Sequence, residues 1–104
     1  MSSLRERLER LAGARPAETN ANELESIVRH VIGDEGEVKQ TTKGHFEASH
    51  PSLKDCKGVE FAKVHWAVRH GGGRKSGYVL QKYVKRVARA MLHILDKHEA
   101  GEGP

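Results

Sequence analysis

Little in this chain can form a crosslink or cross a membrane. Cys56 is the one cysteine among 104 residues, so no internal disulfide is available, which fits a reducing cytosol. It sits in the polar run Lys54-Asp55-Cys56-Lys57-Gly58 and reads as an ordinary loop thiol, since a nucleophile there would need an activating partner. No apolar run approaches the roughly 20 residues of a bilayer crossing. The opening Met-Ser-Ser-Leu-Arg-Glu-Arg lacks the apolar centre of a secretory leader. The expectation is a cytoplasmic protein with no membrane contact. Aromatics are also few: Phe46, Phe61, Trp66, Tyr78 and Tyr83. A hydrophobic fraction of 37% still suffices for one small core, and the length suits one domain.

Acidic residues are scarce where basic ones gather. Residues 69–97 hold eight Lys/Arg against one Asp, whereas residues 1–37 hold five Lys/Arg against eight Asp/Glu. The net charge of +4 is thus concentrated at the back of the chain. A basic surface of this kind suits nucleic acid, although charge alone equally suits an ordinary basic protein.

Along the chain, Ser2 or Ser3 can cap a short helix that carries Leu4, Leu8 and Leu11 on one stripe. Residues 12–19, with Gly13 and Pro16, read as a linker. This divides the chain into an N-terminal helix and linker (1–19), a main domain (20–98) and a frayed tail (99–104). The front helix is either an appendage or a separate partner-binding piece. Asn20 or Asn22 opens the next helix, with Glu23 and Glu25 in its first turn, where the helix dipole favours acids. Leu24, Ile27, Val28 and Val31 form its apolar stripe, and Gly33 ends it.

Alternation predicts strands over 37–42, 45–50 and 61–70, with a turn at Lys43-Gly44 and a polar loop over 51–58. On the third strand Ala62, Val64, Trp66 and Val68 share one face, and Lys63, His65, Ala67 and Arg69 the other. A long helix follows over 78–97. Leu80, Tyr83, Val84, Val87, Met91, Ile94 and Leu95 form its apolar face, and Lys82, Lys85, Arg86, Arg89 and His93 lie around the other side. The expected class is therefore α+β: a helix, a three-stranded antiparallel sheet and a helix, preceded by an extra short helix. That α-β-β-β-α order is the architecture of the double-stranded-RNA-binding domain.

Between the third strand and the last helix runs Arg69-His70-Gly71-Gly72-Gly73-Arg74-Lys75-Ser76-Gly77. A basic glycine-rich loop feeding a helix start can cradle a phosphate with backbone N–H groups. It is not a nucleotide-hydrolysing P-loop, because Arg74 stands where Gly must precede Lys-Ser. Seven histidines are many for this length, but their spacings match no zinc motif, and no metal is expected. His45 stands apart from the rest. It follows the turn and faces away from Phe46 and Ala48, and an imidazole in such a place suits general acid–base work.

Two stretches carry a family resemblance: Thr42-Lys43-Gly44-His45-Phe46-Glu47-Ala48-Ser49-His50-Pro51, and the His70-Gly71-Gly72-Gly73 run with Gly77 before the last helix. Over residues 22–90 the chain resembles the HicA family of toxin–antitoxin ribonucleases. That family has a motif histidine five residues before His-Pro and a later His-Gly-Gly run. The match departs from the family at Gly44 (usually Ser), at Lys43 (usually Gly) and in a longer loop over 52–60. The resemblance implies a metal-independent endoribonuclease that cleaves messenger RNA, inhibits translation and uses no cofactor. It places the catalytic histidine at His45, and His65 or His70 could supply a second proton-transfer group. Lys43, Arg69, Gly71, Gly72, Gly73, Arg74, Lys75, Lys82, Lys85 and Arg86 would hold the RNA phosphates. A HicB-like antitoxin is the implied protein partner, and the acidic front half could serve that interface or a homodimer. Two other classes remain open. One is a non-catalytic nucleic-acid-binding module on the same fold. The other is a small phage or host inhibitor whose basic face binds an acidic protein.

Overall fold

A computed structural model describes residues 4–13, 19–42, 44–56, 59, 61–68 and 77–99. In chain order it has helix α1 (Leu4–Ala12), strand β1 (Thr19–Asn20), helix α2 (Ala21–Ile32) and strands β2 (Glu37–Thr42) and β3 (His45–Ser49). A 3-10 turn (Pro51–Asp55), strands β4 (Lys63–Ala67) and β5 (Tyr78–Val79) and helix α3 (Gln81–Glu99) complete it. The fold is α+β, with an antiparallel sheet of order β2-β3-β4 and a separate two-residue pair, β1-β5.

Local chemistry sets the boundaries of α2. The Asn20 side chain accepts the Asn22 N–H at 2.9 Å and so satisfies one of the orphan donors of the first turn. Gly33, at φ 58°, ends the helix by donating its N–H to the Arg29 carbonyl at 3.0 Å. Glu25 and Arg29, one turn apart, pair at 2.8 Å on the solvent side. The buried stripe is Leu24, Ile27, Val28 and Ile32, with Val31 at its edge.

The sheet has two unlike faces, because a strand alternates sides at every residue. Val38–Ala48–Val64 and Gln40–Phe46–Trp66 form cross-strand rows toward the helices. Phe46 and Trp66 stack with centroids 5.6 Å apart and planes 10° from parallel, within the preferred range for aromatic pairs. Lys39–Glu47–His65 and Thr42–His45–Ala67 are rows on the outer face. The close start of the sheet demands glycine at position 36, where a Cβ would meet the Ser49 carbonyl oxygen at 2.0 Å.

Leu24, Val28, Ile32, Val64, Trp66, Val79, Val84, Val87 and Met91 share one core with Leu8 of α1. The front helix therefore packs against α3, with Leu8 fully buried and Leu4 and Leu11 half-buried beside it. Ion pairs of Arg5 with Asp96 (2.9 Å) and of Arg7 with Glu23 tie α1 to α3 and α2. Both pairs are exposed and contribute little, while burial of a leucine side chain contributes about 1.5–3 kcal/mol. One strain sits inside this core: the indole N–H of Trp66 has no hydrogen-bond acceptor among the described residues. An unsatisfied buried donor costs about 1–3 kcal/mol.

Three expectations change. The third strand starts at Lys63 and not at 61, because Phe61 (φ 57°) and Ala62 (φ 58°) take left-handed conformations that a strand does not contain, while its expected end at 69–70 lies outside the described residues. The last helix starts at Gln81 and not at Tyr78, because Tyr78 and Val79 pair with Asn20 and Thr19. Residues 51–55, expected as loop, form a 3-10 turn with Pro51 at its start, capped by the His50 ring, which accepts the Ser52 N–H at 3.0 Å. Among the described residues, no helix is long and apolar enough to cross a membrane.

Candidate nucleic-acid interface

The tight turn between β2 and β3 delivers His45 to the outer face of the sheet. Gly44 takes φ 78°, and its carbonyl accepts the Val68 N–H at 2.7 Å, which ties the turn to the end of β4. The register slips between Gln40 and Thr42, so Thr41 is an extra residue before Thr42, the last paired residue of β2. Such a bulge re-aims the strand end. The Thr41 hydroxyl reaches the His45 carbonyl at 3.4 Å.

His45 lies opposite Ala67, and His65 lies opposite Glu47, so the two histidines are diagonal neighbours on one face. Diagonal positions on adjacent strands are roughly 7–8 Å apart. The His45 ring is exposed and makes no hydrogen bond or ion pair with a described residue. His65 is held in place. A carboxylate can only accept, so the His65 Nε2–H donates to Glu47 Oε2 at 3.2 Å. Lys63 Nζ contacts the other oxygen of Glu47, also at 3.2 Å. Burial pushes the Glu47 carboxyl up. The hydrogen bond and charge of Lys63, with Lys39 and His65 behind them, outweigh that and hold it below its ordinary value. Glu47 is therefore a fixed anion at the centre of this face.

His45 and His65 open onto a hollow of about 260 Å³ that is also walled by Thr41, Thr42, Phe46, Trp66, Ala67 and Tyr83. Tyr83 belongs to the first turn of α3, and the Lys82 ammonium lies 5.2 Å from its ring centroid, in cation–π range. Lys82 in turn lines a second hollow of about 370 Å³ with Lys85, Arg86, Arg89, Ala90, Cys56 and Val59. Each hollow thus takes one wall residue from the start of α3, Tyr83 in the first and Lys82 in the second.

Lys82, Lys85, Arg86 and Arg89 stand at i, i+3, i+4 and i+7, one stripe of the helix. None of the four forms an ion pair with a described residue. Like charges one turn apart, as in Lys82/Arg86 and Lys85/Arg89, destabilise a helix by about 0.2–0.5 kcal/mol per pair. A bound polyanion would relieve that repulsion. Cys56 lies in the wall of this groove as a quiet group, since burial and the Asp55 charge push its thiol up.

Of the residues singled out from sequence, the structure brings together His45 with His65, and Lys82 with Lys85 and Arg86. Lys43, Arg69, His70, Gly71, Gly72, Gly73, Arg74 and Lys75 lie outside the described residues. Both flanks of that last segment are described. Val68 bonds to Gly44 beside His45 and bridges Val79, while the Gly77 carbonyl accepts the Ala21 N–H at 2.8 Å. His50 does not join the His45 face. It is buried against the 3-10 turn, and burial pushes its imidazole down. Among the described residues no group of three His, Cys, Asp or Glu side chains is arranged to hold a metal ion.

Sequence reasoning left three residues out of the site. Arg89 extends the basic stripe and was visible as the i+4 partner of Lys85. Tyr83 packs against the core as its place in the apolar stripe implies, and it also walls the His45 hollow. Glu47 shares the outward face of β3 with His45, but only the strand register reveals that it meets His65. No family model, no curated protein and no solved structure matches the chain.

Proposed function

We propose that this protein is a HicA-like endoribonuclease on a double-stranded-RNA-binding-domain-like frame, cleaving messenger RNA without a metal and so inhibiting translation. One observation carries the reading. His45 and His65 open onto a hollow walled also by Tyr83, and the adjacent residue, Lys82, begins a stripe of four cations with no described ion-pair partner. The RNA backbone would follow Lys82, Lys85, Arg86 and Arg89. Lys43, Arg69, Arg74 and Lys75, with Gly71, Gly72 and Gly73, would supply further phosphate contacts near the turn.

A phosphate entering the hollow meets two imidazoles. His45, with no described partner, is free to take the proton of the attacking 2′-hydroxyl. The 2′-oxygen then bonds to phosphorus as the bond to the 5′-oxygen breaks. His65 in its imidazolium form, with Nε2–H held by Glu47, gives that leaving oxygen its Nδ1 proton, and His70 is the alternative donor. The products are a 2′,3′-cyclic phosphate and a 5′-hydroxyl. A HicB-like antitoxin would cover this face in the cytoplasm, and α1 with the acidic front half is the surface for it or for a homodimer.

A second reading has its own support. Among the described residues the His45 ring has no orienting partner like that of His65, which favours a binding module that does not cleave. Incubation of a long messenger RNA with wild type and with His45→Ala in EDTA separates the two. Cyclic-phosphate-ended fragments from wild type alone, with RNA affinity of the variant within a few-fold, are expected. Intact RNA with wild type, but with retained binding, would leave the binding module.

A further inference from the structure

Phe61 is the one large hydrophobic side chain that stands out in solvent among the described residues, at 88% exposure. It also sits in a left-handed conformation (φ 57°), as does Ala62 after it (φ 58°). Glycine takes this region without cost, and a side chain with a Cβ does not. The chain thus carries two unfavourable features at one position, an apolar ring in water and a strained backbone. Neither stabilises the fold. Residues held this way cluster at ligand-contacting sites.

The neighbourhood indicates the ligand. Two residues before Phe61, Val59 lines the basic groove together with Cys56, and the Val59 N–H is anchored to the Cys56 carbonyl at 3.2 Å. On the other side, the Ala62 carbonyl accepts the His50 N–H at 3.2 Å, and β4 begins at Lys63. Phe61 is therefore flanked by two anchored residues, Val59 and Ala62, and Val59 belongs to the wall of the groove lined by Lys82, Lys85, Arg86 and Arg89.

We infer that Phe61 is a stacking platform for an unpaired nucleobase, and that the groove takes single-stranded nucleic acid in preference to duplex. This rests on the RNA-binding reading above and narrows its substrate. Cations track a phosphate backbone in either form, but only a strand free of pairing can turn a base face onto an exposed ring. Duplex bases are already stacked on each other and offer Phe61 nothing.

The test compares an unstructured 12-nucleotide adenylate RNA with an RNA duplex of similar length at one fixed salt concentration. Wild type, Phe61→Gly, Phe61→Tyr and the pair Arg86→Ala/Arg89→Ala are measured. Phe61→Gly is expected to bind the single strand roughly 5- to 150-fold more weakly, the range for losing one base–aromatic stack. Its duplex affinity should not move, and it should melt no lower than wild type, since glycine relieves the backbone. Phe61→Tyr should keep wild-type affinity. Unchanged single-strand binding by Phe61→Gly, with loss in the arginine pair, would overturn the platform, leave the RNA reading standing and turn attention to a protein contact at Phe61. Binding of neither probe by wild type would overturn both.

Discussion

The two halves of α3 carry similar numbers of charges and use them differently. In the C-terminal half, His93 and Lys97 both bond to Asp55 of the 3-10 turn, and Asp96 pairs with Arg5 of α1. In the N-terminal half, Lys82, Lys85, Arg86 and Arg89 have no ion-pair partner among the described residues. One apolar stripe, Val84, Val87, Met91 and Ile94, runs beneath both. The difference separates charges that fasten the fold from charges available to something outside it.

Perturbing what the halves share gives the largest expected change. Leu8→Ala removes a fully buried side chain from the core of which α3 is part. It should cost about 2–5 kcal/mol in chemical denaturation, as buried leucine truncations do. Both halves should lose protection together. Loss confined to α1, with α3 unaffected, would show that the front helix is not integral to the core.

Neutralising the unpaired half comes next. Arg86→Ala/Arg89→Ala should weaken RNA binding by about tenfold or more at low salt. Its melting temperature should stay level or rise, since like-charge repulsion along the stripe is removed. The matching change in the other half, Lys97→Ala, should lower the melting temperature slightly and leave RNA affinity alone. A reversal of these two outcomes would erase the distinction between the halves.

Acid should undo the paired side in two steps. Burial pushes the His50 imidazole below its ordinary value of 6.5, so the fold favours the neutral ring. Its contribution is complete above about pH 6.5 and declines as pH falls below that value. Protonation also takes the Nδ1 lone pair that accepts the Ser52 N–H. His50→Asn, which can cap without titrating, should flatten the stability profile in that window. Asp55 follows at lower pH. The Lys97 hydrogen bond, then that of His93, hold its carboxyl at about 2 against an ordinary 3.8. Its contribution is present above about pH 4 and lost as pH falls through 2. The smallest effect is expected from Trp66→Phe, where loss of indole packing is offset by removal of the unsatisfied N–H, so stability should move by about 1 kcal/mol or less.

Much of this contrast was legible in the sequence, for a physical reason. The stripes of α2 and α3 repeat at the helical period, and Gly33 and Gly44 mark places where the backbone needs positive φ. The outward face of β3 and β4 follows from alternation, which places His45 and His65 on exposed sides. What stayed hidden was relational. Thr19–Asn20 and Tyr78–Val79 are two-residue strands, too short to show a period, and they moved the start of α3 by three residues. Phe61-Ala62 carries no turn signal, because neither residue favours left-handed backbone. The pairing of Glu47 with His65 depends on register, and that of Asp55 with His93 and Lys97 on a contact across 38 and 42 residues of chain.

The central claim is that the cations of the N-terminal half of α3 face a polyanion. The most direct measurement is RNA affinity against salt concentration, for wild type and for Lys82, Lys85, Arg86 and Arg89 all changed to Ala. The expected result is a steep fall of log affinity with log salt in wild type, with a slope shallower by about 3 in the variant. Identical slopes for the two proteins would contradict the claim.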